Sequence, residues 1–119
     1  VKNLITAKDA QAIAEKKRKE REQLKIKELI SYQDKAYQEA FNCITKLANL
    51  GCDSTSIDIW NTCSGAQYLF SDDILIITNN VSQKLKELGY NVIDGAVLDD
   101  PSIRQQHILK ISWNKKKEI

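Results

Sequence analysis

The 119-residue chain has no methionine, one proline, four glycines and one histidine. Four glycines leave little room for a phosphate-cradling loop, and no P-loop, GxGxxG, GxSxG or HExxH pattern occurs. Three cysteines, an odd number, do not close a disulfide framework. Cys43, Cys52 and Cys63 therefore read as reduced thiols that pack as small hydrophobes. No apolar run approaches the roughly 18 residues needed to span a bilayer, and the N-terminus lacks a signal-peptide core. Charge of one sign is also lacking. The net charge of +2 comes from 18 basic and 16 acidic residues, without the strong basic excess of a dedicated nucleic-acid binder.

The proline and the glycines are absent where they matter most. From Ala7 to Leu50 there is neither, and Gly51 follows. Thr6, with Asp9 three positions on, reads as a capping-box-like start. Gly51 stands where a left-handed residue would end a helix. Such a helix would be about 65 Å long, at about 1.5 Å per residue. A domain of this size cannot cover it alone. Ser31-Tyr32 offers a break point that would make two helices of it.

The two halves of this stretch differ in chemistry. Glu15 to Gln23 carries no apolar side chain, and Glu15–Lys19, Lys16–Glu20 and Arg18–Glu22 are its supporting pairs. Before it lies a small-residue stripe, Ala7, Ala10 and Ala14, with Ile13 alongside. After it, Ile26, Leu29, Ile30, Tyr37, Ala40, Phe41, Ile44, Leu47 and Ala48 recur at three- and four-residue steps. Ala7, Ala10, Ala14, Ile26, Ile30, Tyr37, Phe41 and Ile44 are the candidate partner-binding residues.

Beyond the Gly51–Ser54 turn, Thr55–Trp60 alternates as a strand, with Ile57 and Ile59 on one face, and Asn61–Gly65 reads as a loop. Ser71-Asp72-Asp73 opens a helix with acids in its first turn, Ile74, Ile77, Val81, Leu85 and Leu88 form its stripe, and Gly89 stops it. The rival reading makes Ile74–Ile77 a buried strand. Tyr90–Ile93 is a strand, Asp94–Gln106 a loop with Pro101, and His107–Trp113 a half-buried strand with His107, Leu109, Ile111 and Trp113 on one face. The expected fold is α+β: a long N-terminal helix (1–50, the arm) followed by a small β-α-β-β module (51–119) with a three-stranded mixed sheet. A right-handed crossover would set the first two strands parallel, and the last two would form a hairpin.

Candidate chemistry is thin. His107 has no evident partner, and Cys52, Cys63 and His107 lack the spacing of a metal knuckle. Asp72-Asp73 serves a helix start, and Asp99-Asp100 precedes Pro101 as turn chemistry. No set of acid, base and nucleophile emerges, so no enzyme, no metal and no cofactor are expected. Seven basic and four acidic residues lie between Glu15 and Glu28. Lys16, Lys17, Arg18, Lys19 and Arg21 are the candidate phosphate contacts. The interleaved acids favour a solvated face over a nucleic-acid site. Trp60, Tyr68, Phe70, Tyr90 and Trp113 either mark an interface or enlarge a small core.

The stretch Val81–Val92 (VSQKLKELGYNV), followed later by Ile111-Ser112-Trp113, is similar to small tailed-phage proteins of uncharacterised role. In these, a charged N-terminal helix precedes a compact strand–helix–strand body. In that comparison Ile5-Thr6-Ala7 opens the long helix and Lys84–Tyr90 (KLKELGY) closes the second one, while the Asn61–Ser71 loop with Cys63 departs from the pattern. The resemblance implies a phage origin and no defined catalytic residues. The resulting expectation is a non-enzymatic phage structural or assembly protein acting through helix-mediated association. Its partners would be other protein subunits, either copies of itself or virion proteins, and no membrane. It would be found in the host cytoplasm during production and in the virion afterwards. The alternative is a small nucleic-acid-binding regulator using the basic helix segment.

Overall fold

The computed structural model describes residues 4–94 and 107–113. Asp99-Asp100, Pro101 and the basic tail Lys115–Lys117 lie outside these residues. Helix α1 runs unbroken over Ala7–Asn49, so Ser31-Tyr32 does not divide it. The Thr6 hydroxyl oxygen accepts the Asp9 N–H at 3.1 Å, satisfying one of the donors a helix start leaves unpaired. At the other end Gly51 adopts φ 82°. The Gly51 N–H donates to the Ala48 carbonyl at 3.0 Å and the Cys52 N–H to the Leu47 carbonyl at 2.9 Å. This pair of bonds is a Schellman closure, and its left-handed residue carries little strain only as glycine.

Strand β1 (Ser54–Asp58), a single-turn helix α2 (Ile59–Thr62), helix α3 (Ser71–Glu87), strand β2 (Asn91–Asp94) and strand β3 (Ile108–Ser112) follow. The 74–77 stretch is therefore helical. α3 stops as α1 does. Gly89 has φ 96°, its N–H donates to the Lys86 carbonyl at 3.0 Å, and the Tyr90 N–H donates to the Leu85 carbonyl at 3.0 Å. β1 ends two residues before the sequence alternation does. Asp58 caps α2 by accepting the Asn61 N–H at 3.2 Å, and Ile59 and Trp60 turn into that helix. Ile59 remains fully buried, so the apolar signal was sound while the backbone class differed.

The sheet order is β1-β3-β2, and both pairings are antiparallel. The sheet is thus antiparallel throughout and not mixed. β1 and β2 point the same way, but β3 lies between them. Ile57 pairs opposite Leu109, and Val92 opposite Ile111. Central placement gives β3, with the most regular alternation, a neighbour on both edges, and Leu109 and Ile111 become fully buried.

α1 and α3 pack on the same sheet face. Ala36, Ala40 and Ile44 of α1 join Ile57, Ile59, Ile74, Ile77, Val81, Leu85, Leu109 and Ile111 in one core. The amphipathic half of α1 therefore completes the core of the module. Ala36 and Ala40, both 0% exposed, let the α1 backbone approach the module closely. The opposite sheet face, with Ser54, Ser56 and Lys110, is open to solvent. α1 overhangs this body, and the molecule measures 77 × 29 × 22 Å. Among the described residues no helix is long and apolar enough to cross a membrane.

Candidate functional site

Three polar anchors lay the α2–α3 connection along α1. The Thr62 hydroxyl donates to Glu39 Oε2, and the Tyr68 N–H donates to Glu28 Oε1 at 2.7 Å. Lys25 Nζ lies 3.1 Å from Asp73 Oδ2, an oxygen that also accepts the Phe70 N–H at 2.9 Å. Asp73 thus completes the start of α3 and ties it to α1 in one step. Glu28, Glu39 and Lys25 are side chains of the kind that sequence patterning assigns to a solvated flank. Their structural role depends on partners 23 to 48 positions away, so periodicity carries no signal of it.

Where α1 leaves the body, the helix and this connection enclose two clefts that share Arg18, Arg21 and Tyr68. One, of about 320 Å³, also involves Lys17 and Leu24. The other, of about 460 Å³, includes Lys25 and Phe70. Phe70 is 72% exposed, with Lys25 Nζ 5.5 Å from its ring centroid. The candidate phosphate contacts are therefore divided. Lys17, Arg18 and Arg21 line the corner, whereas Lys16 and Lys19 line neither cleft.

The candidate partner residues divide as well. Ala7, Ala10 and Ala14 are exposed, and Ile26 and Ile30 are each 57% exposed. Ile44 is buried in the chain's own core, and Tyr37 and Phe41 pack against it. The Tyr37 hydroxyl donates to the Asn80 carbonyl at 3.3 Å, and Asn80 Nδ2 donates to Gln33 Oε1 at 2.8 Å, joining α1 to α3. Burial, followed by the Glu87 and Asp34 charges, pushes the Tyr37 phenol above its ordinary value. Of the aromatics, Trp60, Tyr90 and Trp113 pack against the core, and Tyr90 meets Trp113 edge to face at 6.4 Å. Only Tyr68 and Phe70 face the corner.

The single histidine is structural. His107 is 1% exposed, 3.3 Å from Thr78 Oγ1, and its ring centroid lies 5.1 Å from that of Trp60. The Thr78 hydroxyl spends its proton on the Ile74 carbonyl at 2.8 Å, so its oxygen accepts from His107 Nδ1–H. Burial pushes the imidazole below its ordinary value of 6.5, against the opposing pull of the Asp58 carboxylate. Cys63 is buried and Cys52 exposed, and burial pushes the Cys63 thiol up to about 11. A thiol held protonated is a poor nucleophile. Among the described residues no three His, Cys, Asp or Glu side chains converge as a metal site would require.

No protein-family profile, curated protein or solved structure matches this chain.

Proposed function

We propose that this protein is a non-enzymatic association module whose α1 arm docks on other protein subunits, in the first place copies of the same chain. One observation carries this: every described residue from Leu4 to Leu24 is exposed, although Leu4, Ile5, Ile13 and Leu24 are apolar. Ile26 and Ile30 extend that unpartnered surface toward the body. A helix of this length that buries only its C-terminal half gains its remaining packing from outside. The non-enzymatic part is supported by the inward-turned His107 and the protonated Cys63 thiol. A phage assembly is the setting to which the resemblance of Val81–Val92 points.

Light scattering coupled to size exclusion, across a wide concentration range, tests the proposal. The expected result is a discrete multimer that Ile26→Lys with Ile30→Lys dissociates while the circular dichroism spectrum is retained. A monomer at every concentration overturns self-association.

A further inference from the structure

We infer that the corner between α1 and the 67–70 connection is a binding site for single-stranded nucleic acid. Arg18 and Arg21 would lie on phosphates and Phe70 would stack on a base. The sequence presents one basic run diluted by acids, but the fold sorts these charges. Glu28 is committed to the Tyr68 N–H, and Asp73 to Lys25 and the Phe70 N–H. Glu20 lies 3.5 Å from Lys17 Nζ. Arg18 Nε donates to the Ala14 carbonyl at 3.4 Å, which holds its stem along the helix. Among the described residues no carboxylate is within ion-pairing distance of the Arg18 or Arg21 guanidinium, and Glu20 and Glu22, each lining one of the two clefts, are the opposing charges.

Arg18 and Arg21 stand about one helical turn apart, a pitch of about 5.4 Å, and both line the cleft of about 460 Å³ that Phe70 also lines. That volume falls in the range of about 300–1,000 Å³ typical of clefts that hold small ligand groups. A phenylalanine ring 72% exposed gains little from burial within its own chain. Asp73 fixes the Phe70 backbone, and Lys25 Nζ sits 5.5 Å from the ring centroid. A basic groove lined by exposed aromatic rings is the chemistry that holds single strands regardless of sequence.

The test is fluorescence anisotropy of a labelled oligothymidylate with the full chain, first at low salt and then with salt raised. Binding is expected, with log K falling as log salt rises. Arg18→Ala with Arg21→Ala should reduce that slope by about 1.4, at about 0.7 per lost phosphate contact on a single strand. Phe70→Ala should weaken binding by about 5- to 150-fold, the equivalent of one lost stacking partner. Lys16→Ala with Lys19→Ala, outside both clefts, should weaken it less than the arginine pair does. Circular dichroism of each variant confirms that it is folded. No binding at low salt overturns the inference, as does loss of binding in the Lys16/Lys19 pair with none in the Arg18/Arg21 pair. Displacement by poly-L-glutamate as effective as by unlabelled oligonucleotide overturns it too, and points to an acidic protein segment in the corner. Binding by the monomer suffices, so this result and the multimer measurement stand or fall separately.

Discussion

The two halves of α1 share one backbone and one set of helix signals, yet they meet opposite environments. From Ala7 to Leu24 every side chain is exposed. From Lys25 onward a continuous seam through Leu29, Tyr32, Ala36, Ala40 and Ile44 lies against the body. The second half is held by the core and by the Glu28, Glu39 and Lys25 anchors. The first half relies on propensity, the Thr6 cap and one short-range ion pair, Lys17–Glu20, worth about 0.2–0.5 kcal/mol. Among the described residues the expected Glu15–Lys19, Lys16–Glu20 and Arg18–Glu22 pairs are not formed. Helix length and helix stability are therefore set by different things: the absence of a breaker decides the first, and tertiary burial decides the second.

The same kind of truncation in each half puts this contrast to the test. Ile44→Ala should cost about 2–5 kcal/mol, the usual range for deleting buried isoleucine atoms, read as a shift in the urea midpoint. A much smaller loss would mean that the C-terminal half is not anchored as described. Next in size, Gly51→Ala should cost about 1–2 kcal/mol, because a Cβ is strained in the left-handed conformation, and chemical denaturation would show it.

Acid should act on the body and spare the arm. His107 is kept neutral by burial, with its folded-state value below 6.5. The unfolded chain then binds more protons than the folded one between those two values. The contribution of His107 to stability is complete above about 6.5 and shrinks as pH falls toward the folded-state value. Denaturation midpoints should decline over that window, and His107→Gln should flatten the decline. Smallest of all, Ile26→Ala should change stability by no more than about 0.5 kcal/mol in the monomer, as surface substitutions do. Native-state hydrogen exchange would sharpen the same boundary, with protection beginning near Lys25 and amides before it exchanging by local fraying.

Much of the fold was legible because its signals are short in range. Thr6, Gly51 and Gly89 act on carbonyls and amides within five residues, and each works as its position implies. His107, Leu109 and Ile111 alternate in sequence and are buried together. The end of β1 was not legible, because Ile59 satisfies a strand pattern and a capped helical turn equally well. The site was legible only in part. The basic run is plain in the sequence, but its division between corner and solvent is not, since Tyr68 and Phe70 sit more than 40 positions from Arg18 and Arg21.

What the sequence by itself determined is most of the set of elements: a long helix free of breakers, whose continuity past Ser31-Tyr32 it left open, a second helix ended by glycine, whose 74–77 stretch it left open to a strand, and three short strands with their inward faces. Those follow from backbone conformational limits and from side-chain spacing along a single element. The tertiary structure alone decided that β3 is central and the sheet antiparallel. It also decided that the α1 arm is free only to about Leu24, and that Arg18, Arg21, Tyr68 and Phe70 share one corner. These depend on contacts between separate elements, from the β2–β3 pairing of Val92 with Ile111 to the Tyr68 amide on Glu28, 40 positions apart. The free energy of such contacts comes from burial and pairing that no local stretch of chain contains.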